Sequence, residues 1–140
     1  MSKMGPILIL EDDKEDQELL QDVFKELEVL NRLIFFTNGQ SVIEYLASTP
    51  DQPFIILSDI NLPVMNGLQL RERIDQDDYL RRKSIPFVFF TTSNDQRAID
   101  LAYELTVQGY FTKGNTFGEL KESIRMILHY WTICKHPNSV

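Results

Sequence analysis

The stretch Phe54-Ile-Ile-Leu-Ser-Asp59-Ile-Asn61-Leu-Pro63-Val-Met-Asn66-Gly67 constrains the fold more than any other part of the chain. Phe54 to Leu57 is uninterrupted apolar sequence, the pattern of a strand buried on both faces in the middle of a parallel sheet. The run stops on a carboxylate, Asp59. Pro63 disfavours helix at Leu62, and Asn66-Gly67 is a turn signal with the glycine free to take positive φ. Leu68, Leu70 and Ile74 then begin a helical pattern. An acid at the carboxyl end of a buried strand stands where open α/β sheets place their ligand sites.

The same motif recurs along the chain. Pro6 to Leu10 is an apolar run ending on Glu11-Asp12-Asp13, followed by an amphipathic helix carrying Leu19, Leu20, Val23, Phe24 and Leu27. Asp13 and Asp16 lie near its start, where the helix dipole favours negative charge. Leu33 to Phe36 form a second strand stopped by Asn38-Gly39, and Val42, Ile43 and Leu46 mark a second helix. After the central strand and third helix, Asp75 to Lys83 reads as a charged surface connection or an extension of that helix. Pro86 to Phe90 is a fourth strand ending on hydroxyls, Thr91-Thr92-Ser93. Ser93 or Asn94 is placed to cap a fourth helix with Ile99, Ala102 and Leu105. Val107 to Phe111 gives a fifth strand with Lys113 just beyond, and Phe117, Leu120, Ile124, Ile127 and Trp131 line a last helix. Five alternations with right-handed crossovers predict a five-stranded parallel sheet with five helices on both faces.

Composition narrows the function. With 140 residues, 43% of them apolar, the chain reads as one domain spanning 1–140, with a core over about residues 6–133 and no output domain. A net charge of −7 argues against a nucleic-acid partner. No stretch approaches the roughly 18 apolar residues of a membrane span. Met1 to Gly5 lack a signal-peptide pattern, and the single cysteine, Cys134, fits a reducing, cytoplasmic setting.

Gathering the strand tips gives the chemistry. If the first and third strands are neighbours, Glu11, Asp12 and Asp59 converge, and their like charges repel unless a cation intervenes. Oxygen ligands without histidine or cysteine point to Mg²⁺, or Mn²⁺ in its place. Thr91 and Lys113 add a hydroxyl and an ammonium, the groups that hold phosphate oxygens in phosphoryl transfer. Taken singly, each has an ordinary explanation: acids at a helix start, a β-branched residue in a strand, a solvated lysine.

Together these residues resemble the receiver domains of two-component response regulators, over about Ile7 to Trp131. The resemblance implies a CheY-like, flavodoxin-like sheet of order 2-1-3-4-5. Asp59 matches the phosphoacceptor and Glu11-Asp12 the acidic pair. Asn61 falls where a main-chain carbonyl binds the metal, Thr91 matches the switch hydroxyl, Tyr110 the switch aromatic, and Lys113 the lysine of the family motif. The implied function is acceptance of a phosphoryl group from a histidine kinase or phosphotransfer protein on Asp59. Asp12 and Asp59 would bind Mg²⁺ directly and Glu11 through water. Output would be by binding a downstream protein, and the protein would catalyse only its own phosphorylation and dephosphorylation. The rival within the family is a receiver-like interaction module that acts without phosphorylation. The Asp75 to Lys83 connection and the Tyr130-Trp131 ending resemble small stand-alone regulators paired with bacterial phytochromes.

Gly114 stands where the family usually has proline, which implies a more mobile loop around Lys113. Thr92 takes the place of a smaller residue and would narrow access for the phosphodonor. Asn61 and Ser93 fall at positions that tune phosphoryl lifetime. From about Thr116 to Cys134 the last helix would run roughly 28 Å, beyond the strands. Met126, Tyr130 and Ile133 make a second apolar line that, with Trp131, forms a partner or homodimer surface on the fourth-helix to fifth-helix face, or else packs back on the fold. A flavin carrier is disfavoured because the acidic first loop would repel its phosphate. An aspartyl phosphatase is disfavoured because Asn61 cannot act as the general acid.

Overall fold

The computed structural model describes residues 4–136, so the bounds 1–140 of the single-domain reading extend beyond it at both ends. Apolar runs become strands β1 (Ile7–Leu10), β2 (Leu33–Phe36), β3 (Ile55–Ser58), β4 (Phe87–Thr91) and β5 (Gly109–Thr112). Between and after them lie helices α1 (Lys14–Glu26), α2 (Gly39–Ser48), α3 (Gly67–Asp75), α4 (Asp78–Lys83), α5 (Gln96–Glu104) and α6 (Phe117–Ile133). The strands form one parallel sheet in the order β2-β1-β3-β4-β5.

β1, β3 and β4 are buried throughout, as their unbroken apolar sequence requires. Alternation along the strands splits the core in two. Leu8, Leu10, Ile56, Phe87 and Phe89 face α2, α3, α4 and α5 through Val42, Leu46, Leu70, Leu80 and Ala102. Ile7, Ile9, Ile55, Leu57, Val88 and Phe90 face α1 and α6 through Val23, Phe24, Ile124 and Ile127. Among the described residues, no helix is long and apolar enough to cross a membrane.

Several local readings are corrected. Among the described residues there are six helices rather than five, because Asp77 accepts from the Leu80 amide at 3.0 Å and starts α4 as a separate turn. Leu80 and Lys83, three apart and therefore on one face, are both buried. The Lys83 ammonium donates to the carbonyls of Leu46 and Thr49 at the end of α2 and to the Tyr79 hydroxyl. The α5 cap is Asp95, not Ser93 or Asn94. Ser93 is engaged elsewhere, its amide on the Thr91 hydroxyl and its carbonyl on the Tyr110 hydroxyl.

β5 begins at Gly109 rather than Val107 because the preceding residues close α5. Thr106 takes φ 61°, its amide donates to the Tyr103 carbonyl, and the Val107 amide reaches back to Ala102, the paired bonds of a Schellman ending. No described glycine has positive φ. Gly67 is the first residue of α3, capped by Asn66, and the positive φ of that loop falls on Val64 at 67°. There the Met65 amide turns back onto the Pro63 carbonyl, a strained γ-turn beside the candidate site.

Candidate functional site

The sheet register brings the acids together. Leu10 pairs with Ser58, so the residues that follow, Glu11 and Asp59, leave neighbouring strands side by side, and the Asp59 amide donates to the Leu10 carbonyl at 3.0 Å. Asp59 is 9% exposed and Glu11 2%. Oδ1 of Asp59 accepts from the Ile60 amide at 2.7 Å and from the Thr91 hydroxyl at 2.6 Å. Oδ2 faces the Lys113 ammonium at 3.4 Å. Lys113 also pairs closely with Glu11 and lies 3.8 Å from Asp16. Its amide donates to the Thr91 carbonyl at 2.7 Å, so one main-chain bond joins the two groups that face Asp59.

Burial raises the Glu11 carboxyl above its ordinary pKa, outweighing the pull of Lys113 in the other direction. Burial works to lower Lys113, but its hydrogen bond to Glu11 and the charges of Asp59, Glu11 and Asp16 hold it above its ordinary value. The Glu11, Asp16 and Asp59 carboxylates therefore gather around the Lys113 ammonium. Among the described residues, no three acid, histidine or cysteine side chains converge tightly enough to hold a metal as they stand. Lys113 lies between Glu11 and Asp59, and Asp12 points into solvent at the mouth.

The remaining predicted positions ring this centre. Asn61 is exposed, its amide 3.4 Å from Oδ1 of Asp59. Thr92 is exposed directly after β4. The half-buried Tyr110 donates its hydroxyl to the Ser93 carbonyl at 2.8 Å and sets its ring 6.0 Å from that of Phe89, with burial raising its phenol pKa. Thr91, Ser93 and Tyr110 thus form one chain of contacts leading from Asp59 to the loop before α5. Met126, Tyr130 and Ile133 are exposed on α6, apart from the acidic centre, whereas Trp131 packs partly against the α1 and α6 side of the core.

At Gly114 the chain passes close to the first turn of α6, where a Cβ would lie 2.5 Å from Cβ of Glu119. The contribution of Asp16 to the Lys113 environment escaped the sequence reading. Its place in the first turn of α1 was the available signal.

Known proteins share this fold. The family model described as the response regulator receiver domain matches residues 7–125. Response regulator Rcp1 of Synechocystis sp. is 32% identical over 130 residues, covering 89% of this chain and 87% of that protein. The crystal structure of the phosphorylated cyanobacterial phytochrome response regulator RcpA overlays with a TM-score of 0.86 at 28% identity, covering 95% of this chain and 98% of that one. The Mn²⁺-bound form of Rcp1 overlays with a TM-score of 0.83 at 31% identity, covering 94% and 98%. With its sheet order, acidic strand tips and matched sequence, the chain belongs to the response regulator receiver domain family.

Proposed function

We propose that Asp59 accepts a phosphoryl group from a histidine kinase or phosphotransfer protein in a Mg²⁺-dependent reaction, and that the resulting change is passed on by protein contact. The observation that carries this reading is the Thr91 hydroxyl and the Lys113 ammonium on the two oxygens of one buried carboxylate. A carboxylate oxygen of Asp59 attacks phosphorus and the P–N bond to the donor imidazole breaks. The imidazole leaves with that electron pair, taking up a proton, and an acyl phosphate remains. Thr91 and Lys113 then direct their donors at the phosphoryl oxygens.

The donor set fits a hard divalent cation. Every candidate ligand is an oxygen, the carboxylates outnumber the ammonium, and buried Glu11 is left short of compensation. Asp12, Asp59 and the Asn61 main-chain carbonyl would hold Mg²⁺ or Mn²⁺, with Glu11 acting through water. Bound there, the ion neutralises charge on the phosphoryl oxygens. The Mn²⁺-bound form of Rcp1 supports a divalent cation as the ion taken up.

Withdrawal of Thr91 from its bond to Asp59 pulls on Ser93 and frees Tyr110 to turn, which reshapes the α5, β5 and α6 face as a population shift. Asn61, Thr92 and Ser93 line the approach and set access and phosphoryl lifetime. The output surface is the groove of about 350 Å³ bordered by Tyr103, Phe111, Met126, Tyr130 and Trp131, together with the exposed Ile133 of α6. It takes a downstream protein or a second copy of the chain.

The test is intact mass after incubation with Mg²⁺ and acetyl phosphate. Wild type should gain a single phosphoryl adduct, and Asp59→Asn, which keeps the shape and loses the nucleophile, none. Chelation of Mg²⁺ should remove the adduct from wild type. An equal adduct on Asp59→Asn refutes the phosphoacceptor. No adduct on wild type favours a receiver-like module that acts without phosphorylation.

A further inference from the structure

Arg71 lies in the middle of α3 and is 1% exposed, a costly place for a guanidinium. Its Nε donates to the Leu105 carbonyl at 2.9 Å, and Nη2 to the carbonyl and hydroxyl oxygens of Thr106 at 3.3 and 3.2 Å. Among the described residues Nη1 has no hydrogen-bond partner, and the guanidinium carbon lies 5.3 Å from the centre of the Phe87 ring. An apolar side chain would fill this position without leaving a buried donor unpaired. Besides a 4.0 Å ion pair with Asp75 of its own helix, what the arginine supplies is a grip on the carbonyls just beyond the end of α5.

That end of α5 is secured in other ways as well. The Thr106 hydroxyl donates to Asp75 of α3 at 3.2 Å. Gln108 ties the start of β4 to the same turn, accepting from the Phe87 amide at 2.7 Å and donating to the Thr106 carbonyl at 2.8 Å. The opposite end is held differently. Along its length α5 fully buries only Ala102, and the loop before its Asp95 cap hangs from the Thr91 and Tyr110 hydroxyls through Ser93. One end of the helix is thus tied to groups at the acidic centre, and the other to α3.

We infer that Arg71 is a positioning residue that clamps the C-terminal end of α5, so that a displacement started at Thr91 swings the N-terminal end of the helix about a fixed pivot at Leu105-Thr106. This rests on the phosphoacceptor reading above. Without the clamp, the same displacement would slide or fray the whole helix, and the signal at the α5, β5 and α6 face would lose its direction.

Hydrogen exchange read by mass spectrometry, with and without acetyl phosphate and Mg²⁺, tests the pivot on wild type, Arg71→Met, Arg71→Lys and Thr106→Val. Intact mass is followed in parallel. In wild type, phosphorylation should change exchange in residues 92–98 and leave 103–108 as they were. In Arg71→Met, exchange at 103–108 should rise about tenfold before phosphorylation, as expected for loss of charge-assisted hydrogen bonds. The phosphorylation-dependent change should then spread into 103–108 at unchanged adduct yield. Arg71→Lys should restore part of the protection, since an ammonium can still donate to a carbonyl.

A wild-type change as large in 103–108 as in 92–98, or a wild-type pattern in Arg71→Met, overturns the pivot while leaving the phosphoacceptor intact. If Arg71→Met also loosens β1 and β3, Arg71→Lys and Thr106→Val decide, and wild-type patterns in both overturn it. No adduct on wild type overturns the phosphoacceptor reading and the pivot with it.

Discussion

A methyl group on Gly67 would lie 2.3 Å from the Asp59 carbonyl oxygen and 2.8 Å from the Phe89 ring. The first of these neighbours is main chain and cannot rotate away. Gly67→Ala should therefore cost about 1–3 kcal/mol, the usual range for overpacking, and shift Asp59 out of line with Thr91 and Lys113. Thermal denaturation reads the first effect and the rate of adduct formation from acetyl phosphate the second. Loss of stability at an unchanged adduct rate would contradict the geometric argument. The meeting of the strand tips was legible from the sequence, because apolar runs end on Glu11, Asp59 and Thr91. The steric demand at Gly67 was not, since it arises only when the loop folds back onto Asp59 and Phe89 of β4 packs beside it. Arg71 was hidden for the same reason, as Leu70-Arg71-Glu72-Arg73 has the pattern of a solvated helix face until Leu105 and Thr106 fold over it.

Single polar side chains mark the ends of the elements. α4 has six residues and too few internal bonds to persist alone, and the Asp77 cap and the buried Leu80 and Lys83 hold it in place. Asp77→Ala should lower stability by about 1 kcal/mol, which urea denaturation measures, and leave the phosphoryl adduct unchanged because α4 is remote from the strand tips. A fall in adduct yield would mean that α4 communicates with the centre. The five strands and the long helices were readable from periodicity. α4 was not, because its buried pair is set in a run of charged residues, and the β5 boundary moved because Val107 is used to close α5.

For the molecule as a whole, the sheet separates two jobs. α1 and α6 seal one face around Phe24, Ile124 and Ile127, while α5 on the other buries little of itself. At the seam between them, Tyr130 is 60% exposed beside Met126 and Ile133. If this face binds a second copy, phosphorylated wild type should sediment as a dimer. Tyr130→Glu should carry the same adduct and remain a monomer, since a charge in an apolar contact is costly to desolvate. Equal sedimentation of the two phosphorylated proteins would remove this surface from self-association and leave it to a different partner.

The bond from the Lys113 amide to the Thr91 carbonyl has a consequence in time. The β4 and β5 tips, joined through their main chains, cannot shift in separate steps without breaking that link. The backbones at Thr91 and Lys113 therefore share one clock: spectroscopic probes placed separately on the β4 and β5 tips should return a single relaxation rate after a jump in phosphodonor.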